Sequence, residues 1–582
     1  MRLDVSHRPD RYVVVPEAAG PWLSALCGQA PRYLGRPVVA VSLTLQQTVA
    51  AAKRRLVSPQ AIWTDRQSCP PGHQPSGDRP EHRRLDGLFR GIRPPIALRK
   101  EDLAVVFGCS SLSPVQPEDV AALVAVVSGS VLLPGDVGYD DERAVFNLNH
   151  ELQPAVIVVA QCPTDVEAAV AFAARQRRPV AVKATGHQIV GTAEGAVLIN
   201  TRRMNDVEID AVGRTAGVGA GAIWGEVVEK AAEAGLAPLN GANPTVGVAG
   251  YTLGGGLSPT LGRSHGYAAD HVRSLDVVTA DGELRHVDAE SDPELFWALR
   301  GGKGNFGVVT RLEFALFPVS RIYGGALYFP GEHMADVLRA WTAWHPNTPE
   351  SMVSSFAALR LPPLPEIPEP LRGVFTVALR IAYNGTAEDG ERMIAPLRAV
   401  APTVLDTVAD MPYTAVASIH AEPTEPLPYY ERSVMLREFP AESQDRLVEL
   451  VGPNSRTSMW IAELRALGGA WDREPLVPNA VATRGLPYVL LGVEVGPKSE
   501  ERRLKESVAA LLDGMAAWQA DRRLVNNLAP EEAADVVAIY GPECYERLAH
   551  VKKIYDPSNM FRFNHNVLPA ARTDSRLPQA RP

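Results

Sequence analysis

A glycine-rich stretch at 241–256, GANPTVGVAGYTLGGG, constrains the fold more than any other part of the sequence. A glycine inside a helix or strand costs about 0.5–1 kcal/mol relative to alanine, so a chain keeps glycines where its backbone must approach another group closely. The apolar residues between them (Val246, Val248, Tyr251 and Leu253) favour a packed turn over a flexible surface loop. Because successive N–H groups in such a turn can bind an anion, the stretch predicts a cradle for a phosphate or pyrophosphate.

The composition is that of a soluble globular protein with several domains. The 582 residues are 46% hydrophobic and 21% charged, and a chain of this length predicts two or three domains. The net charge of −9 and the absence of a long basic run argue against nucleic acid or an anionic membrane as the main partner. No secretory signal or membrane-length apolar run is visible, so we expect a cytoplasmic protein. The five cysteines show no zinc-binding spacing, and no metal site is predicted.

The texture of the sequence divides the chain into five segments. Residues 1–115 are rich in Pro, Arg and Ser and predict an N-terminal extension that is poorly ordered or of unknown role. Strands and helices alternate through 116–320, whereas 321–525 contains alternating segments typical of an antiparallel sheet. A helix and a polar, aromatic strand are predicted in 526–570, and 571–582 is a frayed tail. The fold class predicted from this order is α+β.

Two further segments are candidates for a binding site. Gly302-Lys303-Gly304-Asn305-Phe306-Gly307 matches G-x-G-x-x-G, but a helical pattern precedes it and a strand follows. That is the reverse of the order in a nicotinamide-binding dinucleotide fold, which the sequence therefore disfavours. The other segment is KATGH at 183–187, where His187 stands at a strand-to-turn junction. By itself, a histidine in such a place is more often solvated or hydrogen-bonded than reactive.

Taken in order, these segments resemble a known family. PVAVKATGH, PTVGVAGYTLGGG and GYAADHVRSLDVVTADGEL are followed by ELFWALRGGKGNFGVVTRLEF and KKIYDPSNMFRFNHNV. Together they resemble the vanillyl-alcohol-oxidase superfamily of FAD proteins, and within it the branch of berberine-bridge enzymes and hydroxynicotine oxidases. The resemblance extends from about residue 118 to about residue 569.

The resemblance implies a fold and a cofactor. It implies an FAD-binding domain of the PCMH type at 116–320, built of two α/β subdomains, and a substrate domain at 321–525 with an antiparallel sheet backed by helices. Residues 526–570 would be the berberine-bridge-type segment that returns to the FAD domain. The cofactor-binding positions that it implies are Lys183, Ala184, Thr185, Gly186, His187, Gln188, Asn243, Thr245, Val246, Gly247, Gly250, Tyr251, Gly254, Gly255, Asp270, Gly304, Asn305, Gly307, Val308, Asn564 and Asn566.

In that family the histidine of a Gly-His turn bonds covalently to a methyl group of the flavin, which assigns this role to His187. Many members add a second bond through a cysteine, and here that position is Asn243. The resemblance therefore implies FAD held by a single covalent bond. A valine at 246 is similar to relatives in which a small side chain lets oxygen approach the flavin, which implies an oxidase.

The reaction implied is removal of a hydride from a C–OH or C–N group of a small molecule, with O2 accepting the electrons to give H2O2. A sugar, an alkaloid-like amine and a secondary metabolite all remain open as the substrate, as does the oligomeric state. The alternatives are a dehydrogenase of the same fold with another electron acceptor, and a flavin-binding protein that has lost turnover.

The catalytic base is where the sequence departs from the family. Many members place a catalytic Tyr or Glu on a central strand of the substrate domain, and here that strand, LPYVLLGVEV at 486–495, offers Leu491 or Gly492. A tyrosine frequent near the C-terminus is replaced by Leu524. The remaining candidates for the catalytic group are Tyr488, His420 and Tyr251.

Overall fold

The computed structural model describes residues 114–571. The predicted extension, apart from its last two residues, and the predicted tail, apart from residue 571, lie outside the described residues. In the described part, the chain forms one sheet with parallel strands and two antiparallel sheets, with helices between them. The predicted α+β class is confirmed. No helix of this part is long and apolar enough to cross a bilayer.

The first sheet holds four strands in the order β1-β2-β4-β3, and β4 pairs in parallel with both β2 and β3. All four residues of β2 are buried, as expected for a run of Val and Ile with both faces covered. Its elements are β1 (Ser130–Leu132), β2 (Val156–Val159), β3 (Val180–Lys183) and β4 (Val197–Asn200), with α1 (Pro117–Val124), α2 (Tyr139–Arg143) and α3 (Pro163–Arg175).

The second sheet is antiparallel, with its strands in the order β5-β6-β9-β7-β8. Strand β9 (Val308–Ala315) follows helix α7 (Pro293–Gly302) and the G-x-G-x-x-G loop, so the predicted order of helix, loop and strand is observed. The elements are β5 (Val207–Asp210), β6 (Thr215–Gly219), α4 (Trp224–Glu233), α5 (Val248–Leu253), α6 (Gly262–His265), β7 (Val272–Val278), β8 (Leu284–Asp288), α7 (Pro293–Gly302) and β9 (Val308–Ala315).

The third sheet has eight antiparallel strands in the order β13-β10-β12-β11-β16-β17-β15, with β14 also pairing with β10. It contains both alternating segments on which the prediction of an antiparallel sheet rested, as β12 and β17. Its strands are β10 (Arg321–Pro330), β11 (Met352–Arg360), β12 (Phe375–Tyr383), β13 (Leu405–Asp406), β14 (Ala409–Pro412), β15 (Tyr429–Leu436), β16 (Ile461–Ala466) and β17 (Tyr488–Val495).

The two faces of the third sheet have different neighbours. One face packs on helices α8 (Met334–Trp344), α9 (Ala387–Arg398), α10 (Ala441–Val451) and α11 (Glu501–Gly514) through residues such as Leu464 and Leu490. On the other face, Val353 and Val489 pack on Leu257, in the loop that follows α5. Because successive side chains of a strand point to opposite faces, one residue of register decides which neighbour each side chain meets.

The C-terminal segment returns to the second sheet. Helices α12 (Val536–Tyr540) and α13 (Pro542–Tyr555) pack on its core, where Leu548 is buried with Phe306. The strand predicted after this helix does not form. Met560 and Phe561 donate their backbone N–H groups to the Asp556 carboxylate, at 2.7 and 2.8 Å, instead of to a neighbouring strand.

Candidate functional site

His187 lies in the turn that follows β3, packed against two other segments. A Cβ on Gly186 would lie 2.9 Å from the Cα of Val145, and the φ of Gly186 is 74°, so this turn requires glycine. The Phe146 ring lies nearly perpendicular to the imidazole, with ring centroids 3.9 Å apart. The Tyr429 hydroxyl donates to the His187 carbonyl at 3.2 Å. Burial lowers the pKa of His187 to about 4, so the imidazole is neutral at pH 7.

Hydrogen bonds in the turn before α5 determine which nitrogen of His187 carries the proton. The Thr245 hydroxyl donates to Asn243 Oδ1 at 2.8 Å, while Asn243 Nδ2 donates to the Pro423 carbonyl at 2.7 Å. With its single proton committed, Thr245 Oγ1 can only accept from His187 Nε2, 3.1 Å away. This arrangement favours the tautomer with the proton on Nε2, which leaves the lone pair on Nδ1. Nδ1 is buried and has no hydrogen-bond partner.

The glycine-rich stretch forms a turn, helix α5 and a second turn that packs closely on other segments. A Cβ on Gly247 would meet Thr185 Oγ1 at 3.4 Å, so the start of α5 lies directly on the KATGH turn. A Cβ on Gly254 would lie 1.9 Å from Asn526 Oδ1 and 2.9 Å from Lys303 Cε. The packed turn is observed, with a short helix inside it that the sequence did not indicate.

Lys303 presents a cation without an acidic partner. Its ammonium donates to Gln188 Oε1, and no carboxylate of residues 114–571 lies within ion-pair distance of it. Burial lowers the pKa of Lys303 to about 7. Burial and the nearby Lys303 charge lower the pKa of His565 to about 3, and His565 Nε2 is buried without a partner. A group that brings negative charge would satisfy both Lys303 and its surroundings.

The third sheet supplies the opposite wall, through two glutamates that the sequence reasoning missed. Glu431 on β15 accepts a hydrogen bond from Asn527 Nδ2 at 3.0 Å, and Glu422 lies in the loop before β15. Burial raises the pKa of both carboxyl groups, although part of each residue's surface is still exposed. Partly exposed carboxyl groups with a raised pKa are typical of the walls of an internal site. The alternation of β15 places Glu431 on the same face as Tyr429, a signal present in the sequence.

Contacts connect these residues into neighbouring groups, which together we call the central site. The Tyr429 hydroxyl bonds to the His187 carbonyl, and Gln188, the next residue, accepts from Lys303. Asn526 Nδ2 donates to the Tyr251 carbonyl at 2.8 Å, and its neighbour Asn527 bonds to Glu431. The central site consists of His187, Gln188, Asn243, Thr245, Tyr251, Lys303, Tyr429, Glu431, Asn526 and Asn527.

The matches to known families cover the segments that carry most residues of the central site. Residues 154–288 match the family described as "FAD binding domain", and 525–568 match "Berberine and berberine like". The chain is 30% identical over 484 residues to (R)-6-hydroxynicotine oxidase of Paenarthrobacter nicotinovorans, in a match that covers 76% of this chain and 97% of the relative. The chain belongs to the berberine-bridge-like branch of the FAD-linked oxidoreductases. It is an enzyme of the FAD-dependent type.

Solved structures agree with this assignment. The 6-hydroxy-D-nicotine oxidase of Arthrobacter nicotinovorans superposes with a TM-score of 0.66 at 27% identity, over 76% of this chain and 98% of that one. A xylooligosaccharide oxidase from Myceliophthora thermophila shares the fold, with a TM-score of 0.66 at 24% identity over 78% and 99% of the two chains. These relatives confirm the predicted PCMH-type FAD-binding fold with a substrate domain.

The described residues of this FAD-linked oxidoreductase fit the cofactor. The turn that carries His187 leaves Nδ1 without a partner, and the amino group of the partly buried Lys303 lies beside Gln188. FAD contributes a pyrophosphate that would complement this cation. Gly250 and Gly304 border open space, since a Cβ on either would meet no atom within 4 Å.

Two predicted cofactor residues have side chains that are hydrogen-bonded within the protein. Asp270 pairs with Arg484 and accepts from Asn479 Nδ2 at 2.7 Å and from the Tyr267 N–H at 2.9 Å, so both its oxygens are occupied. The Asn305 amide is also fully used: its Nδ2 donates to the Gly302 carbonyl at 2.8 Å, and its Oδ1 accepts from Val567 at 2.9 Å. Neither side chain has a free polar atom, and the cofactor contacts expected of Asp270 and Asn305 stay a prediction.

The remaining predicted positions are divided between the site and its support. Lys183 donates to the Glu142 carbonyl at 2.7 Å, and Asn564 Nδ2 donates to the Gly304 carbonyl at 3.1 Å. Asn566 Oδ1 is buried without a partner, as Nδ1 of His187 is. Ala184, Thr185, Gly186, Gly247 and Gly254 border the central site, Val246 and Gly255 lie in the turns of the glycine-rich stretch, and Gly307 and Val308 lead into β9.

The three candidate catalytic residues lie in different places. Tyr488 is on the face of β17 that packs on the helices, with its ring 5.6 Å from Phe439, so the structure corrects its assignment to the active site. Tyr251 belongs to the central site, and its buried hydroxyl has no partner. His420 lies in a buried cluster with Glu463, on the face of the third sheet turned away from the helices.

Proposed function

We propose that the FAD of this oxidoreductase is bonded covalently to Nδ1 of His187 and that the enzyme is an oxidase of a small molecule. It would take a hydride from a C–OH or C–N group and pass the electrons to O2, giving H2O2. The observation that carries the proposal is the state of His187, a neutral imidazole whose unprotonated nitrogen has no partner. Nothing in the described part of the protein competes for that lone pair, and an unmade hydrogen bond of this kind costs about 1–3 kcal/mol.

The residues around His187 would fix its geometry for attachment. Thr245 holds the proton on Nε2, and Asn243, which stands where many relatives carry a second anchoring cysteine, orients Thr245. The Phe146 ring and the Tyr429 hydroxyl hold the imidazole and the backbone of the turn in place. Asn243 would therefore support the single bond at His187, in addition to replacing the cysteine that forms a second bond in many relatives.

Glu431 is the base that we propose. When bound, FAD supplies the hydride acceptor. The protein must remove the O–H or N–H proton of the substrate, and a base does this best when its pKa is near the operating pH. Burial raises the pKa of Glu431 toward that range, and Asn527 fixes one of its oxygens. Tyr251, whose hydroxyl has no partner, would bind the substrate oxygen or nitrogen.

Oxygen as the acceptor is supported by Val246. This residue is partly exposed in the turn that carries Thr245. Its small side chain resembles those that oxidases of the branch carry at the corresponding position. A sugar, an alkaloid-like amine and another secondary metabolite remain candidate substrates, because relatives named as hydroxynicotine and xylooligosaccharide oxidases share this fold.

Two measurements test the proposal. Acid precipitation of the purified protein should leave the yellow colour in the pellet, and His187→Ala should release it into the supernatant. Colour lost from the wild-type pellet would contradict the covalent bond. Substrate-reduced enzyme mixed with O2 should reoxidise rapidly and form one H2O2 for each reduced flavin. Slow reoxidation with fast transfer to an artificial acceptor would instead show a dehydrogenase.

A further inference from the structure

The side-chain amide of Gln188 is hydrogen-bonded to three residues of distant segments. Its Nε2 donates to the Val525 carbonyl at 2.9 Å and to the Leu528 carbonyl at 3.1 Å. Its Oε1 accepts from the ammonium of Lys303. Both N–H groups of the amide are therefore used within the protein and are not free to bind a substrate. The amide connects segments of the chain.

The ammonium of Lys303 determines which way this amide points. An ammonium only donates and a carbonyl oxygen only accepts, so the observed orientation satisfies both kinds of neighbour. The reversed orientation would place the N–H groups against the ammonium and the amide oxygen against two carbonyl oxygens. The contact with Lys303 thus keeps Gln188 donating to Val525 and Leu528.

The turn that Gln188 holds also binds the base that we propose. Residues Val525–Asn527 form one turn of 3-10 helix, and Leu528 follows it. Asn527 Nδ2 donates to Glu431 Oε1 at 3.0 Å. The two carbonyls bound by Gln188 flank Asn527 in the chain, so they restrain the backbone from which the Asn527 side chain extends.

Strand β15 binds the same turn from its own side. The Ser433 hydroxyl donates to the Asn527 carbonyl at 3.1 Å. Ser433 and Glu431 are two residues apart on the strand, so their side chains point to the same face. Asn527 is therefore bound by one face of β15 through both its amide and its carbonyl, while Gln188 binds the backbone around it. The turn connects the segment of His187 with the strand of Glu431.

We propose that Gln188 is a positioning residue that holds Glu431 at a fixed distance from His187. This rests on the proposed function, in which His187 carries the flavin and Glu431 is the base. Gln188 directly follows His187 in the chain, and its contacts reach Glu431 through the turn and Asn527. A base acts within hydrogen-bond reach of the proton that it removes, and a misplacement of about 1 Å can slow a reaction about 100-fold.

Asn527 also affects the pKa of Glu431. Burial raises that pKa, whereas the hydrogen bond from Asn527 lowers it by stabilising the carboxylate. The titratable groups near Glu431 are Glu422, Tyr429, Glu463 and Arg465. A looser turn leaves all of these groups in place and weakens the hydrogen bond from Asn527. The pKa of Glu431 should then rise further.

Gln188→Leu tests the proposal, since leucine has a similar volume and makes no side-chain hydrogen bond. The pKa of Glu431 can be measured without a substrate, from the infrared difference spectrum when light and EDTA reduce the bound flavin. The band of Glu431 is the carboxyl band that Glu431→Gln removes. We expect Gln188→Leu to raise the pKa at which this band titrates by roughly half to one unit.

Gln519→Leu is the matched control. Gln519 is partly buried, as Gln188 is, and its Nε2 donates to the Leu512 carbonyl at 2.6 Å, outside the central site. This variant should keep the pKa of the wild type. Gln188→Asn, whose amide is one methylene shorter and cannot reach both carbonyls, gives the same test if the leucine variant does not fold.

A double variant tests whether Gln188 acts through Asn527. Asn527→Ala removes the hydrogen bond to Glu431 directly, so adding Gln188→Leu should raise the pKa little further. Additive shifts would overturn the proposal, because Gln188 would then act on Glu431 by another route. A crystal structure of flavin-loaded Gln188→Leu should show residues 525–528 displaced and the bond between Asn527 and Glu431 broken.

The same spectra separate a failure of this proposal from a failure of the proposed function. If Glu431→Gln removes a band whose pKa is equal in wild type and Gln188→Leu, the positioning role of Gln188 is wrong and the base stands. If Glu431→Gln removes no carboxyl band, Glu431 does not lie beside the flavin. The base is then wrong, and the role of Gln188 falls with it.

Discussion

At the scale of single residues, the most informative group is the hydroxyl of Thr245. Its proton goes to Asn243, so it accepts from His187 and leaves Nδ1 unprotonated. We predict that Thr245→Val slows covalent attachment of FAD roughly five- to tenfold. The substitution removes a hydrogen bond worth about 1 kcal/mol, so the proton of His187 is no longer held on Nε2. The measurement is the acid-precipitable flavin formed over time after FAD is added to apoprotein. Thr252→Val, which removes a buried hydroxyl without a partner, is the control. Attachment at the wild-type rate in Thr245→Val would contradict the role.

Lys303 gives a prediction about pH. Without FAD, its pKa of about 7 in the folded protein lies below the ordinary 10.5, so the unfolded chain binds more protons between these values. The free energy of unfolding should therefore rise with pH between about 7 and 10.5. Lys303→Gln should remove that part of the slope, as measured by urea unfolding of flavin-free His187→Ala protein.

Bound FAD should remove the contribution of Lys303 to the pH dependence of stability if its negative charge faces Lys303. The pKa of Lys303 would then return toward its ordinary value, and its contribution to the slope would disappear in the loaded protein. Urea unfolding of flavin-loaded protein, with and without the Lys303→Gln substitution, checks this. If the free energy of unfolding changes equally with pH with and without FAD, Lys303 does not face the negative charge of the cofactor.

At the scale of elements, the catalytic base that we propose lies on β15, whereas the sequence led us to expect a catalytic group on β17. Tyr488 on β17 faces the helices, whereas Glu431 on the neighbouring β15 faces the central site. We predict that Glu431→Gln slows flavin reduction by the substrate about 100-fold, the usual range for a lost general base. Tyr488→Phe should leave it within about twofold, although it can lower stability. Rapid mixing without oxygen measures both. Equal effects of the two changes would contradict the assignment of faces.

The different positions of Tyr488 and Glu431 show which features the sequence could predict and which it could not. The strands β12 and β17, the His187 turn and the order of the segments around it follow from local pattern and family resemblance. The face of Tyr488 did not, because a shift of one residue reverses it and local pattern gives no register. Glu431 was missed because its partner Asn527 is 96 residues away in the chain. The partners of Asp270 and Asn305 include Asn479 and Val567, more than 200 residues away, which local pattern does not show.

At the scale of the whole molecule, a buried ion pair in the C-terminal segment joins it to the loop that carries Lys303. The side chains of Lys552 and Asp556 are both fully buried, 2.7 Å apart. Lys552 Nζ also donates to the Asn305 carbonyl at 2.6 Å and to the Phe561 carbonyl at 3.0 Å. One ammonium thus holds the end of the berberine-like segment, the G-x-G-x-x-G loop and helix α13 together.

Breaking this pair from one side should cost more than removing both charges. Lys552→Met leaves Asp556 charged and buried, which costs about 3–5 kcal/mol in the free energy of unfolding. Lys552→Met with Asp556→Asn should recover part of that loss, because no charge is then left unpaired and the amide oxygen can still accept from Met560 or Phe561. Urea unfolding compares the two variants. If the double variant is as unstable as the single one, the ammonium acts through its bonds to Asn305 and Phe561, and the stability of the segment does not depend on the charge of Asp556.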